Sequence, residues 1–264
     1  MDLQLDGKVA FITGSTAGIG YGCAKLLSKE GVTVILNGRS EKGVLEAVAR
    51  LKEEVGHENI SGIATDFSDA GEVSDLLSRL RDIDILINNV GIYRSQSFLE
   101  STDQDWYNQY EVNIMSGVRL SRQLLPKMMD SGWGRIIFVS SECATLVPED
   151  LIGYSSTKAA ILAISRGLAQ LTRGSQVTVN TIVPGSTMTE GAQEFLSNLA
   201  DKEGTSVEQA ESDFFKNIRT SSLIERFVSV EEVSSAIAYL ASPLSAGTNG
   251  STIKVDGGSM GGIF

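Results

Sequence analysis

Short apolar runs rich in β-branched residues recur along the chain: KVAFIT (8–13), VTVIL (32–36), ISGIAT (60–65), IDILIN (83–88), RIIFVS (135–140), VTVNTIV (177–183) and TIKV (252–255). Runs that are apolar on both alternating faces suit strands covered by helices on each side, as in a parallel sheet. Between them apolar residues return at helical spacing in 20–31, 41–56, 68–81 and 231–242. Strand and helix alternate throughout, the pattern of right-handed βαβ units. The predicted fold class is α/β: one doubly wound domain over 1–264, with a seven-stranded, mainly parallel sheet and helices on both faces. Only 189–222 breaks the rhythm. It is polar, acidic and helical in flavour, and reads as a surface helical hairpin or as a substrate lid.

Composition narrows the classes. The 264 residues are 42% hydrophobic and 21% charged, with 27 glycines beside 4 prolines, an ordinary globular balance with many tight turns. A net charge of -11 repels phosphate backbones and anionic membranes, so neither nucleic acid nor membrane is expected as a partner. No basic leader and no apolar stretch of spanning length is evident, which predicts a soluble cytoplasmic protein. Cys23 and Cys143 are too few for a disulfide framework and read as small buried hydrophobes. His57 is the only histidine, so a Ser/His/Asp site or a multi-histidine metal site is not expected. No metal is called for.

Candidate chemistry begins directly after the first strand, with TGSTAGIG, Thr13 to Gly20, leading into a helix. Gly14, Gly18 and Gly20 permit a tight turn and close approach of the backbone to a pyrophosphate, met by free amides at the helix N-terminus. A second stretch, YSSTK, sets Tyr154 and Lys158 one helical turn apart, so both side chains can converge on one point. Ala160, Ile161, Ile164, Leu168 and Leu171 supply the apolar face of that helix. Such a pair taken alone is an ordinary surface pair. An ammonium held beside a phenol would stabilise the phenolate and bring its pKa down, making a usable acid/base.

These motifs together resemble the short-chain dehydrogenase/reductase family in its compact form, a Rossmann fold. The family's TGxxxGIG is matched by Thr13, Gly14, Gly18, Ile19 and Gly20, and its NNAG by Asn88, Asn89 and Gly91, with Val90 in place of Ala. PGSTMT (184–189) and VDGG (255–258) close the match over nearly the whole chain. The resemblance implies hydride transfer between a nicotinamide and a ketone or secondary alcohol. It assigns Tyr154 as acid/base, Ser141 thirteen residues upstream as the group that orients the carbonyl, Lys158 as tuner of Tyr154 and ribose ligand, and Asn113 as the residue that positions a proton-supplying water. Ser140 is the runner-up for the Ser141 role. Ser15, Thr16, Phe67, Asn89 and Gly91 join the glycines as cofactor ligands, with Asp66 on the adenine and Pro184, Gly185, Thr187 and Thr189 at the nicotinamide end.

The second strand ends VILNGRSEK, with Gly38 where an acid would bind the adenosine ribose and Arg39 next to it. Arg39 can pair with a 2′-phosphate, which favours NADP(H); NAD(H) use stays open. Ser15, Thr16 and Ser40 are further candidate phosphate donors. Two other readings stand beside the reductase: a nucleotide-sensing protein with the same fold and no catalysis, and a structural oligomer. The family resemblance implies a homotetramer, or a homodimer, built through 103–128 and the Tyr154 helix. The partner expected at the site is a small carbonyl or alcohol. No Arg or Lys is foreseen among the residues near it, which are Glu142, Cys143, Leu146, Pro148, Tyr93 and Met188. Phe195, Leu196, Leu199, Phe214 and Phe215 either cover a moderately apolar substrate or anchor the hairpin. A resemblance to 3-oxoacyl-carrier-protein reductases is general and leaves the substrate unspecified.

Overall fold

The computed structural model describes residues 2–262, so Met1, Ile263 and Phe264 at the ends of the expected 1–264 domain lie outside the described residues. The first half runs β1 (Val9–Ile12), α1 (Gly18–Lys29), β2 (Thr33–Gly38), α2 (Glu41–Val55), β3 (Ile60–Ala64), α3 (Ala70–Arg79) and β4 (Ile85–Asn88). Then follow α4 (Asp103–Tyr110), a π-helical turn at Glu111–Met115, α5 (Ser116–Asp130), β5 (Gly134–Val139), α6 (Cys143–Leu146), α7 (Ile152–Leu171) and β6 (Val177–Pro184). The remainder comprises β7 (Thr187–Met188), α8 (Glu190–Glu203), α9 (Val207–Asn217), β8 (Val228–Ser229), α10 (Val230–Ala241) and β9 (Thr252–Val255).

Seven strands form one sheet in the order β3-β2-β1-β4-β5-β6-β9, and every pairing is parallel. The period of two along each strand sorts its side chains onto two cores. Ala10, Ile12, Ile85, Ile87, Ile137 and Val139 face one cluster with residues of α1 and α10, whereas Phe11, Leu86, Ile136 and Phe138 face another with residues of α3, α5 and α7. The expected strands all form, within about two residues at their ends. The pair β7·β8 was not foreseen, because two residues per strand carry no periodicity. Strand order reverses between β1 and β4, and at this switch point the loops leaving the C-terminal strand edges part to leave a crevice.

Region 189–222 folds as the α8–α9 hairpin. Leu196, Ala200, Ala210, Phe214, Phe215 and Phe227 are buried together, with the Phe214 ring 5.1 Å from Phe215 and 5.2 Å from Phe227. Each large side chain so buried contributes about 1.5–3 kcal/mol, which holds the hairpin without a place in the main sheet. Leu171, expected on the buried face of α7, is instead 62% exposed, because it ends the helix beyond the sheet.

Candidate active site

The glycine loop forms a cradle that side chains would fill. Gly14 (φ +60°) and Gly18 (φ +56°) adopt left-handed backbone, and a Cβ on Gly20 would stand 2.5 Å from the Gly14 carbonyl oxygen and 2.6 Å from Asn89 Nδ2. Asn89 ties β4 to this loop, its Nδ2 donating to the carbonyls of Thr13 and Gly14 at 3.0 and 2.8 Å. Unlike α2 and α3, whose first amides are held by Ser40 and Asp69, α1 has no side-chain cap from its own N-cap residue. The Gly18 amide instead donates to the Glu190 carboxylate at 3.0 Å. This end of α1 thus already takes an anionic group, as a pyrophosphate site should.

Two cavities open beside the loop and share Asn89 and Gly91 in their walls. The first, about 520 Å³, is lined by Gly14, Thr16, Gly38, Arg39, Asp66 and Phe67 among others, the residues expected around an adenosine. A Cβ on Gly38 would lie 2.6 Å from Thr16 Cγ2, so glycine keeps this wall open. Asp66 is not the cap of α3, a role taken by Asp69; its Oδ1 accepts from the Ser68 amide and hydroxyl, which hold its carboxyl below the usual range. Two expected phosphate donors are spent elsewhere. Ser15 is fully buried, its hydroxyl donating to Ile12 O at 2.7 Å and accepting from the Asn37 amide, and Ser40 caps α2. Thr16 and Arg39 are left as the candidates for a 2′-phosphate. The residues present fit a dinucleotide.

The second cavity, about 510 Å³, brings together Ser141, Tyr154 and Lys158 with Pro184, Gly185, Thr187 and Thr189. Tyr154 and Lys158 are adjacent on α7, with Lys158 Nζ 5.6 Å from the phenol ring centroid and donating to Val139 O at 2.9 Å. The Ser141 hydroxyl stands beside the phenol in the wall of this cavity and accepts the Cys143 amide at 3.1 Å. Ser140 also lines this cavity, but its hydroxyl is spent as a donor on Lys158 O at 2.8 Å. Asn113 sits within the π-helical turn and is 4% exposed. Its Oδ1 accepts the Ile92 amide at 2.7 Å, and its Nδ2 donates to Ile92 O and Thr157 Oγ1. Both N–H groups of that amide are therefore committed to fixing the loop after β4 against α7. Irregular turns of this kind commonly occur at functional sites.

The expected lowering of the Tyr154 pKa is corrected by the structure. Burial pushes the phenol up, opposed by the neighbouring Ser141 hydroxyl, with the Glu142 carboxylate among the smaller contributions to the rise. Burial likewise brings Lys158 down to about 8, since desolvation disfavours its charge. The motif names the two partners but not how deep they lie.

Charge near the site also departs from expectation. Arg219, following α9, lines the second cavity and donates through Nε to the buried Glu142 at 2.9 Å. No motif signals it, and it stands 77 residues from its partner. Cys143 lines the same wall as a buried thiol whose pKa is raised by desolvation, whereas Met188 packs with the hairpin cluster. Leu146 and Pro148 are not part of the lining. Phe195 and Phe214 reach the cavity, while Leu196 and Phe215 only anchor the hairpin. No helix among the described residues is long and apolar enough to cross a membrane.

Comparison with known proteins agrees with this geometry. A family model described as short chain dehydrogenase matches residues 8–200. The chain is 40% identical over 264 residues to the uncharacterized oxidoreductase YvaG of Bacillus subtilis (strain 168), covering 100% of both. It is 31% identical to the 3-oxoacyl-[acyl-carrier-protein] reductase FabG of Vibrio cholerae serotype O1, covering 97% of this chain and 98% of that protein. Among solved structures, L-sorbose reductase from Gluconobacter frateurii complexed with NADPH and L-sorbose superposes with a TM-score of 0.93 at 31% identity, covering 100% of both chains. A glycine-loop Rossmann sheet, a Ser, Tyr and Lys gathered at its C-terminal edge, and these matches lead to one conclusion: the chain is an oxidoreductase of the short-chain dehydrogenase/reductase family.

Proposed function

We propose that the protein is an NADP(H)-dependent reductase of ketones, with Tyr154 as its acid. The observation that carries this reading is the meeting of Ser141, Tyr154 and Lys158 in one cavity that adjoins an Arg39-lined adenosine pocket. A bound nicotinamide supplies the hydride that the ketone carbon accepts. Tyr154, whose burial keeps its proton on at neutral pH, gives that proton to the oxygen as the alkoxide forms. Ser141, beside the phenol in the same cavity, orients the carbonyl oxygen between the two hydroxyls. Lys158 spends one N–H on Val139 O and keeps two for the cofactor ribose. Pro184, Gly185, Thr187 and Thr189 wall the nicotinamide end, and Asn113 holds the Ile92 loop against α7.

Arg39 and the absence of an acid at Gly38 support NADP(H), as do the NADPH complexes of the sorbose reductase and of an actinorhodin polyketide ketoreductase mutant, the latter 29% identical. The 189–222 hairpin, which sends Phe195, Phe214 and Arg219 into the cavity, acts as its cover. The test is NADPH oxidation over a broad ketone panel with Tyr154→Phe. The expected outcome is a loss of about 100- to 10,000-fold in kcat with NADPH binding retained. Binding of NADPH with no turnover by the wild-type protein across the panel would favour a sensor instead.

A further inference from the structure

Glu142 and Arg219 take no part in the proton transfer, yet both line the reaction cavity. Glu142 follows Ser141 directly and is 2% exposed. Its Oε1 accepts from Arg219 Nε and from the Ser186 hydroxyl, each at 2.9 Å, while its Oε2 has no hydrogen-bond donor. A buried carboxylate oxygen without a donor is uncommon, because leaving it unpaired is costly.

Arg219 approaches side-on. A guanidinium that serves only as a strut commonly forks onto a carboxylate with two parallel hydrogen bonds. Here, among the described residues, the guanidinium makes a single side-chain hydrogen bond, through Nε, and neither terminal amino group meets a protein acceptor. The guanidinium lies 6.0 Å from the Phe214 ring, at the hairpin's edge of the cavity.

The cavity wall therefore includes a carboxylate with one oxygen lacking a donor and a guanidinium whose terminal amino groups have no protein acceptor, with no net charge between them. A hydrocarbon ketone would leave both unsatisfied. An anionic ketone would satisfy Arg219 but meet the Glu142 carboxylate beside it. A hydroxyl both donates and accepts, so it complements the pair. Oε2 is shut off from solvent as it stands, so engaging a hydroxyl takes a partial swing of the carboxylate about its terminal torsion, whose profile is broad, toward the cavity that Glu142 lines.

We propose that the Glu142–Arg219 pair reads a hydroxyl group of the substrate, which makes the substrate a neutral hydroxyketone of the keto-polyol class. This rests on the reductase reading above. The pair acts on the part of the substrate that does not react, so its effect falls on the choice between ketones.

The experiment compares NADPH oxidation with 1,3-dihydroxyacetone, 3-pentanone and acetoacetate, which offer hydroxyl, hydrocarbon and anionic flanks to the carbonyl. The wild-type kcat/KM is expected to favour dihydroxyacetone over 3-pentanone by about 10- to 100-fold, the range of a hydrogen bond to a charged group. Arg219→Met and Glu142→Gln should each drive that ratio toward one, chiefly through KM, and Arg219→Lys should restore part of it. Melting temperature and NADPH affinity verify that each variant is folded. A wild type that prefers 3-pentanone or acetoacetate, or a ratio that both Arg219→Met and Glu142→Gln leave unchanged, overturns the inference while the reductase reading stands. NADPH binding with no oxidation on any ketone overturns both. If Arg219→Met fails to fold, the wild-type ratio and Glu142→Gln still decide.

Discussion

Lys158 shows how depth outweighs neighbourhood at the scale of one residue. A motif of Tyr and Lys one turn apart implies an ammonium that lowers a phenol pKa, but the structure buries both, and desolvation pushes each toward its neutral form. A consequence is measurable in stability. Lys158 titrates at about 8 in the folded chain, against about 10.4 for an exposed lysine. Between those values the unfolded state binds more protons, so the Lys158 contribution makes stability rise with pH in that window, and below about 8 its cost is fully present. Tyr154 is held above its free value of about 10, so its own titration enters only at the top of that window. Wild-type stability should therefore gain on that of Lys158→Met as pH rises from about 8 to 10, read by denaturant unfolding at each pH. A constant difference would mean that the amine is solvated. Residue identities and their spacing were legible in the sequence, and burial was not. Ser15 has the same lesson: it lies in the right loop, but its hydroxyl is consumed by Ile12 and Asn37 behind the cleft wall.

Among the elements, periodicity foretold β1 to β6, β9 and the long helices that cover them, since each buries enough residues to repeat a pattern. It could not foretell β7·β8 or the partner of Glu142, because a two-residue strand and a contact across 77 residues leave no local trace. The most consequential contact between elements is that of α8 with α1. Thr189 caps α8, its Oγ1 accepting from the Ala192 amide, and this sets Glu190 over the Gly18 amide. A carboxylate at that amide and a pyrophosphate approaching the same helix end repel one another, so the contact must weaken when the cofactor binds. Glu190→Gln is expected to lower the Kd for NADPH by about 2- to 5-fold, the effect of one charge at a helix terminus. Fluorescence titration at low salt checks this, and the gain should shrink at high salt because Glu190 is exposed. Weaker NADPH binding in Glu190→Gln would instead mark the side chain as a support for the loop.

The site as a whole is assembled from the C-terminal ends of six of the seven strands of the main sheet. Gly14 follows β1, Arg39 follows β2, Asp66 follows β3, Asn89 follows β4, Ser141 follows β5 and Gly185 follows β6, and all of them line the two joined cavities. A ligand bridging these ends opposes the separation of every strand that supplies one, so its binding energy should appear in global unfolding. At a free NADPH concentration of about 100 times its Kd, linkage adds about 2.7 kcal/mol to stability. For a chain of this length that corresponds to a rise in Tm of about 5–10 °C. Scanning calorimetry should show the rise in Tyr154→Phe as in wild type, since that change removes a proton donor and leaves the cradle intact. Gly20→Val should lose it, because its side chain would enter the space held by Gly14 O and Asn89 Nδ2. NADH at the same concentration should give a smaller rise than NADPH, and Arg39→Ala should bring the two together, as pairing of a guanidinium with a 2′-phosphate demands. Equal wild-type shifts with both nucleotides, unchanged in Arg39→Ala, would remove Arg39 from cofactor choice and leave Thr16 as the residue to test.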